Sequence, residues 1–392
     1  MNVVGIIAEY NPFHQGHRFH LEQARRLTGA SLTVVAMSGN YVQRGVPAMF
    51  DKYTRAKAAL SNGADLVLEL PLQTATGSAE YFASGAVRLL AGTGVVTDLC
   101  FGSECADTAA LRHLADLLAG EPDRYRSLLR ESLRAGSPWP KARAEALHRF
   151  DPSIPSELLE SPNDLLAVEY LKALRRSKSP IRAHAVQRKG ASYHRLQVEP
   201  EVFASAGGIR QALLEGQGIF SAPVCAQLPS CGVYSSYDGR IPMTEDAFSL
   251  LLLERLIRHP QEEFSQYFDV TEELANRIRN HLDEFTSFSC FTDLLKTLNL
   301  TRTAVSRALL HILLNIRAWE PPQILRVLGF RRDAEPLLAR IAACGHLPLV
   351  TSPSDPSIPE DWLYADRLYE RVRSLLQKQP YRNEFRRKLL VL

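Results

Sequence analysis

The first two hundred residues alternate short apolar runs with stretches of helical period. Most of the runs are nearly continuous in apolar residues, and they occupy positions 2–8, 31–37, 64–70, 96–102 and 181–187. Such runs are typical of parallel strands that are covered on both faces. Amphipathic stretches such as GHRFHLEQARRL and SAEYFASGAVRLLAG lie between them. This alternation predicts a doubly wound, Rossmann-like α/β domain with a parallel sheet, whose ligands bind beyond the carboxyl ends of the strands.

Helical patterns interrupt this alternation once and then follow it. Between the fourth and fifth runs the period is helical, which predicts a helical insertion at about 108–174. A segment rich in proline, glycine and serine predicts a linker at 226–242. Beyond it apolar residues recur with helical spacing. We therefore expect a catalytic α/β domain at 1–225 and an all-α C-terminal domain at 243–392.

Length and composition narrow the class of protein. A chain of 392 residues is long enough for two domains. The net charge of +3 permits a nucleic-acid partner without arguing for one. The six cysteines have no CxxC spacing, which fits a reducing compartment better than a disulfide framework or a zinc ribbon. Neither a signal peptide nor a membrane-spanning run is visible, so we expect a cytoplasmic protein with no membrane association and no evident protein partner.

The stretch YNPFHQGH follows the first predicted strand and begins a helix. Asn11 and Pro12 end the strand in a turn, and Gly16 removes a side chain where the backbone approaches a flat ring or a phosphate. His17 falls in the first helical turn, where free N–H groups and the helix dipole favour an anion. With His14 beside it, this motif is suited to hold a polyphosphate during group transfer.

Two other interpretations of the histidines are possible. The spacing of His14, His17 and His20 resembles a zinc site, but no cysteine or spare carboxylate completes a tetrahedral set, so we expect no resident metal here. His20 alone fits equally well as a packed helix residue. The loop after the second predicted strand faces the same crevice, and its polar groups would line an acetate or cytidine pocket or remain solvated: Asn40, Gln43 and Arg44.

The motif resembles a known signature. YNPFHQGH is similar to the (F/Y)-(D/N)-P-x-H-x-G-H pattern of the HxGH nucleotidyltransferase superfamily. FASAGGIRQAL matches its second signature loosely, at Ser205, Ile209 and Arg210. Six runs, the first of which contains YNPFHQGH, resemble the bacterial tRNA(Met) cytidine acetate ligase family, and they follow in order along nearly the whole chain: GIIAEYNPFHQGHRFHL, MSGNYVQRGVPAMFDKYTRAKAALSNGADLVLELP, FGSE, SPWPKAR, SPNDLLAVEYLKAL and LRVLGF.

The resemblance implies ATP-dependent activation of acetate to acetyladenylate. The acetyl group then passes to the exocyclic amine of the wobble cytidine of elongator tRNA(Met), with release of AMP and pyrophosphate. His14 and His17 would be the catalytic pair, with magnesium bound beside them. The resemblance implies these ATP contacts: Ile7, Ala8, Glu9, Tyr10, Asn11, Pro12, Phe13, His14, Gln15, Gly16, His17, Arg18, Phe19, His20, Gly102, Asn163, Arg188, Ser205 and Arg210.

Several of these positions also have plainer interpretations. Gly102 can be a turn, Asn163 or Ser161 can cap the helix that SPND begins, and Arg188 can be a solvated charge at a strand end. Glu9 is a weak candidate for the base that deprotonates the cytidine amine, and a strand-end structural role suits it as well.

Two basic stretches are candidates for tRNA contact, each with a solvated helix face as its alternative. The first is near the cleft mouth, at Lys52, Arg55 and Lys57. The second is in the C-terminal region, which we expect to select tRNA through phosphate contacts: Arg277, Arg279, Lys296, Arg302 and Arg307. The family is usually more basic here than this chain, which has Leu298, Asn299, Leu300 and Ala304.

Two other functions remain open on sequence. A small-molecule adenylyltransferase would end soon after the second signature, whereas this chain continues through a further helical region. A non-catalytic RNA-binding protein would not need an intact HxGH motif.

Overall fold

The computed structural model describes residues 2–155, 157–188, 203–258 and 262–392. Within this part the strands are β1 Val3–Ala8, β2 Leu32–Ser38, β3 Tyr41–Val42, β4 Val46–Pro47, β5 Leu66–Leu70, β6 Asp98–Ser103, β7 Arg182–Gln187, β8 Leu325–Phe330, β9 Leu349–Val350 and β10 Leu390–Val391.

The helices of the described residues surround this set. They are α1 Gln15–Thr28, α2 Lys52–Ser61, α3 Leu72–Ala75, α4 Ala79–Gly92, α5 Thr108–Gly120, α6 Asp123–Arg134, α7 Trp139–Phe150, α8 Glu157–Glu160, α9 Pro162–Arg176, α10 Ala206–Leu214, α11 Ala222–Gln227, α12 Ser249–Arg258, α13 Glu272–Asn280, α14 Phe288–Leu295, α15 Arg302–Leu314, α16 Glu335–Cys344 and α17 Glu360–Leu376.

The central sheet has the strand order β10-β8-β5-β2-β1-β6-β7, with β9 paired to β8. Strands β5, β2, β1, β6 and β7 are parallel. The chain leaves β1 toward β2 and β5, then returns to its other side as β6 and β7, so the order reverses at β1. The predicted doubly wound α/β fold is confirmed, and β1 ends at its switch point, where such sheets bind ligands.

The C-terminal region is not all-α, which corrects the prediction. β8 is buried along its whole length and pairs antiparallel with β5, and β10 pairs parallel with β8. Leu325, Val327 and Phe330 belong to the same core as the strands of the N-terminal half. The sequence did not reveal this because a short apolar run such as LRVLGF fits a buried strand and a buried helix segment equally well.

Two helical layers complete the molecule. The predicted insertion forms α5, α6, α7, α8 and α9, which pack on one face of the sheet and share its core. Most of α12, α13, α14, α15 and α17 packs in a second core, to which Tyr41 and Leu72 also contribute. None of the described helices is long and apolar enough to span a bilayer.

The segment at 226–242 is packed rather than open. A 3-10 helix, Cys231–Tyr237, buries Tyr234 and Tyr237 against the N-terminal half. The Tyr234 hydroxyl accepts a hydrogen bond of 3.2 Å from the backbone N–H of Phe13. Cys225 and Cys231 form a disulfide, so the expectation of unpaired cysteines is wrong for this pair, and the other four cysteines are free.

Candidate active site

The loop between β1 and α1 is held from several directions. The Asn11 side-chain oxygen accepts a hydrogen bond of 2.9 Å from the Met49 N–H. The Asn11 carbonyl accepts one of 2.7 Å from the Arg210 guanidinium, which comes from α10. The two sequence signatures, 199 residues apart, therefore meet at this loop.

His14 and His17 cap α1 reciprocally. Nδ1 of His14 accepts a hydrogen bond of 3.0 Å from the Gly16 N–H, and Nδ1 of His17 accepts one of 3.2 Å from the His14 N–H. An imidazole nitrogen that accepts carries no proton, so each neutral ring keeps its proton on Nε2. The ring centres are 3.8 Å apart. The pair therefore has two Nε2–H donors at the start of a helix.

The histidines are neutral because they lie largely out of solvent and among positive charges. Burial, with Arg188 and Arg210 nearby, lowers the pKa of His14 to about 3. Burial and the neighbouring His14 hold the pKa of His17 well below its usual value. Burial and Arg188 lower the pKa of His20 to about 4. The three imidazoles therefore act as hydrogen-bond donors or acceptors, and the positive charge of the site comes from arginines.

Gly16 is required by the ring of His14. A Cβ atom at position 16 would lie 2.8 Å from Cε1 and 3.1 Å from Nδ1 of His14. The close approach that the sequence predicts at this glycine is therefore to a flat ring of the motif itself.

A cavity of about 300 Å³ opens at the carboxyl end of β1. The first residues of α1, α9 and α10 line it, so three helix N-termini meet at its wall. Converging N-termini with free N–H groups favour a polyanion such as a nucleotide triphosphate. The predicted residues that line it are Ile7, Ala8, Glu9, Tyr10, Asn11, His14, Gly16, His17, Phe19, His20, Gln43, Arg44, Gly102, Asn163, Arg188, Ser205 and Arg210.

Some predicted residues do not line this cavity. Pro12 and Phe13 are buried beneath the loop. Gln15 donates to the Ala226 carbonyl, and Arg18 is exposed and paired with Glu22.

One end of the cavity joins β6, α9 and β7. Arg188 donates to Asn163 at 3.4 Å and lies 3.6 Å from the carboxylate of Glu104, which also accepts a hydrogen bond from Asn163. The helix cap here is Ser161, whose hydroxyl accepts from the Asp164 N–H, so Asn163 is left to face the cavity.

The carboxylate of Asp164, which sequence reasoning missed, fixes this end. It accepts hydrogen bonds of 3.0 and 3.3 Å from the N–H groups of Glu104 and Cys105. Asp164 therefore joins the end of β6 to the start of α9. In the sequence, only its position next to Asn163 in SPND could have indicated that Asp164 belongs to the site.

The other end of the cavity is lined by both charged and apolar side chains. Gln43 and Arg44 line it with Arg210, and burial and the nearby Arg44 lower the pKa of Arg210 to about 10. The carboxylate of Glu9 accepts a hydrogen bond of 2.8 Å from the Gln43 N–H, which favours the strand-end structural role. Sequence reasoning missed the apolar wall beside it, which includes Phe82 of α4 and Tyr170 of α9.

Asn40 is not part of this wall, which corrects its prediction. Its side chain is buried. It donates a hydrogen bond of 2.9 Å to the Asp366 carboxylate and accepts one of 2.9 Å from the Lys52 N–H. The loop after β2 therefore turns Asn40 into the core and only Gln43 and Arg44 toward the cavity.

The described part of the chain does not form a metal site at this cavity. Among the described residues no group of three histidine, cysteine, aspartate or glutamate side chains is placed to hold a metal ion. Nδ1 of His14 and of His17 already accepts a backbone hydrogen bond, which leaves one nitrogen on each ring.

Known proteins match this chain over almost its full length. A family model of HIGH nucleotidyl transferases matches residues 1–388. The tRNA(Met) cytidine acetate ligase of Acetivibrio thermocellus is 37% identical and covers 91% of this chain and 89% of its own. That of Halothermothrix orenii is 35% identical and covers 100% of this chain and 99% of its own. The chain belongs to the tRNA(Met) cytidine acetate ligase family.

Solved structures of this family agree with the fold. Thermotoga maritima TmcAL in its apo form is 31% identical and superposes with a TM-score of 0.90, with both chains fully covered. The crystal structure of the same protein bound with alpha-thio ATP is 30% identical, with a TM-score of 0.87. The resemblance predicted from the motifs is confirmed.

Two of the basic residues expected to contact tRNA in this ligase family are in the interior, which corrects their prediction. Lys52 and Arg55 are both 0% exposed. Lys52 lies 3.0 Å from Glu69 and 3.0 Å from Glu384. Arg55 donates to backbone carbonyls at the ends of β1 and β2, at Glu9 and Ser38. Lys57, one turn along α2, is exposed.

The C-terminal basic residues are mostly compensated. Arg302 pairs with Glu245 and Asp293, each at 3.3 Å. Arg307 is 14% exposed and pairs with Asp269 at 3.0 Å. The remaining three also have partners: Arg277 donates to the Leu294 and Leu295 carbonyls, Lys296 lies 3.5 Å from Asp293, and Arg279 donates to Asn276.

Proposed function

We propose that the protein is an ATP-dependent acetate ligase that acetylates the exocyclic amine of the wobble cytidine of elongator tRNA(Met). The observation that carries the proposal is the pair of Nε2–H donors on His14 and His17, set at the meeting point of three helix N-termini. Family membership directs this phosphate-binding geometry toward acetate and tRNA(Met). A tRNA substrate in turn favours the cytoplasm as the place of reaction.

The first step forms acetyladenylate. A carboxylate oxygen of acetate attacks the α-phosphorus of ATP, an O–P bond forms, and the bond to the bridging oxygen breaks to release pyrophosphate. Negative charge grows on the phosphate oxygens, where the His14 and His17 donors and the helix N-termini stabilise it. Arg210 and Arg44 supply positive charge for the carboxylate at the other end of the cavity.

A magnesium ion, when bound, would neutralise negative charge on the phosphates. The described residues provide no three-ligand cluster, so a divalent ion would arrive on the nucleotide phosphates. The protein's own contribution is therefore hydrogen bonding, charge and position.

The second step transfers the acetyl group. The cytidine amine attacks the acetyl carbonyl, a C–N bond forms, AMP leaves and the amine loses a proton. An unpaired anticodon base reaches such a site at low cost because no duplex has to open. The nucleotide site would come from residues 1–225, whose sheet β8 and β10 complete. Arg279, Lys296 and Arg302, at α13, α14 and α15, would contact the tRNA body.

Nucleoside mass spectrometry tests this function directly. Elongator tRNA(Met) transcript incubated with protein, ATP and acetate should gain N(4)-acetylcytidine at the wobble position and release AMP. Omission of ATP should abolish the product, and acetyl-coenzyme A should not replace ATP with acetate. Acetylation that used acetyl-coenzyme A and ignored ATP would overturn the proposal.

His17→Ala tests the carrying observation. Loss of one preorganised donor should lower acetate-dependent pyrophosphate release by ~10²–10³-fold. His346→Ala, which changes an exposed histidine just after α16, is the matched control and should retain the parent rate. Unchanged pyrophosphate release in His17→Ala would show that His17 only packs in the structure and does not stabilise the reacting phosphate.

A further inference from the structure

Helices α6 and α7 of the insertion carry a basic surface to which the sequence assigned no role. Residues 123–150, which form α6 and α7, contain seven arginine or lysine residues against three acidic ones, a net charge of +4. The entire chain carries only +3. The C-terminal candidate stretch, residues 272–317, has six basic residues against five acidic ones, a net charge of +1. Of these two stretches, charge complementarity to a nucleic acid therefore favours α6 and α7.

The arginines of α6 are arranged in a row. Arg126, Arg130 and Arg134 are exposed and follow one another at four-residue intervals, about 6 Å apart along the helix axis. Arg126 pairs with Asp123, whereas Arg130 and Arg134 form no ion pair within the described residues. A row of this kind can follow a phosphate backbone.

An exposed tryptophan stands beside this row. Trp139, the first residue of α7, is 48% exposed, while Trp362 is buried. The guanidinium of Arg143 lies over the Trp139 ring at 5.3 Å from its centre. A ring held by a cation and still half open to solvent is suited to stack an unpaired base.

The tryptophan is close to the cavity wall. Arg143, which contacts Trp139, also lies 3.8 Å from the carboxylate of Glu169 on α9. Leu166 and Tyr170 line the cavity, and Glu169 lies between them on the same helix, within one turn of each. Two side chains, Arg143 and Glu169, therefore join the Trp139 ring to the wall of the site.

We propose that the exposed faces of α6 and α7, residues 123–150, dock the anticodon arm of the tRNA. Trp139 stacks an unpaired base next to the one that enters the cavity, and Arg130 and Arg134 bind phosphates. This inference rests on the proposed function, since it names the surface that presents the RNA substrate to that site. The run SPWPKAR, which the ATP chemistry does not use, acquires a role through Trp139.

Binding of elongator tRNA(Met) transcript over a salt series tests the surface. Trp139→Ala should raise Kd on the order of tenfold, and Trp139→Phe should retain most of the affinity. The double variant Arg130→Ala/Arg134→Ala should reduce the slope of log Kd against log salt by about 1 to 2. Tyr364→Ala removes an aromatic side chain of α17 that is 44% exposed and should bind as the parent does.

Acetate-dependent exchange of pyrophosphate into ATP, measured without tRNA, separates the possible failures. All variants should retain the parent exchange rate, which also shows that each has folded. Parent-like tRNA affinity and salt slope in both Trp139→Ala and the double variant would overturn the docking surface. A parent protein that shows no exchange would overturn the proposed function, and the binding series would still decide the surface.

Discussion

At the scale of single residues, the site separates hydrogen bonding from charge. Backbone N–H groups occupy Nδ1 of His14 and of His17, and burial keeps both rings neutral. A neutral imidazole donates a hydrogen bond to the phosphate, and this bond becomes stronger as negative charge develops on the phosphate oxygens. Because the ring carries no charge, it does not form an ion pair with a nearby carboxylate such as Glu9 before ATP binds. The permanent positive charge belongs to Arg188 and Arg210, which are on other elements.

The buried histidines make stability depend on pH. His20 has a pKa of about 4 in the folded protein and about 6.5 in the unfolded chain. Between these two pH values the unfolded chain is protonated at His20 and the folded protein is not. Its contribution is therefore complete above pH 6.5 and is lost as the pH falls toward 4. The unfolding free energy should fall by up to about 1.4 kcal/mol per pH unit for this proton.

Urea unfolding of the parent and of His20→Gln at pH 7 and pH 5 measures the effect. The parent should lose more stability than the variant on acidification. Asp366 acts in the opposite sense, because burial raises its pKa to about 7, but it is present in both proteins and cancels in the comparison. Equal losses would show that His20 does not titrate as its surroundings imply.

How much the sequence revealed depended on where each residue's partners are. The roles of His14, Gly16 and His17 follow from neighbours within three residues, so their geometry was predictable. Lys52 and Asn40 could not be placed, because both contact Asp366, more than 300 residues away. A charge or amide near a strand end appears exposed until the chain that covers it is known.

At the scale of elements, the start of α1 depends on the fit between its glycine and its capping ring. Gly16→Ala would place Cβ 2.8 Å from the His14 ring. We expect the ring to be displaced from its cap and acetate-dependent pyrophosphate release to fall at least tenfold, with little change in overall stability.

Gly207→Ala is the matched control for this change. Gly207 lies in the first turn of α10, and an added Cβ would meet the Ser205 hydroxyl at 3.6 Å and the Arg210 guanidinium at 4.0 Å, both ordinary contact distances. Alanine also favours the helix over glycine. Pyrophosphate release should therefore persist in Gly207→Ala, and equal activities in the two variants would contradict the steric argument.

The elements also explain why the sheet was predicted and its last strands were not. β1, β2, β5 and β6 follow one another with helices between them, which is a pattern that sequence displays. β8 arrives from beyond the second helical core and pairs antiparallel with β5. Only the tertiary fold decides that LRVLGF is extended.

At the scale of the whole molecule, a buried ion cluster fastens the C-terminal region to the catalytic sheet. Lys52 of α2 and Arg326 of β8 face three carboxylates, Glu69, Asp366 and Glu384. Burial and Arg326 act to lower the pKa of Lys52, but the carboxylates together raise it above its usual value. The charges are nearly balanced as long as both cations remain.

Lys52→Met should upset that balance. It leaves three buried carboxylates with one cation, and removal of one partner from a buried ion pair costs about 3–5 kcal/mol. The midpoint of urea unfolding should fall accordingly. Lys57→Met on the exposed side of the same helix is the control and should change stability by less than about 0.5 kcal/mol. If Lys52 instead bound tRNA phosphates, Lys52→Met would leave the unfolding midpoint intact and weaken tRNA binding more strongly at low salt than at high salt. That result would contradict the interior position of Lys52 and the link it makes between the two halves of the molecule.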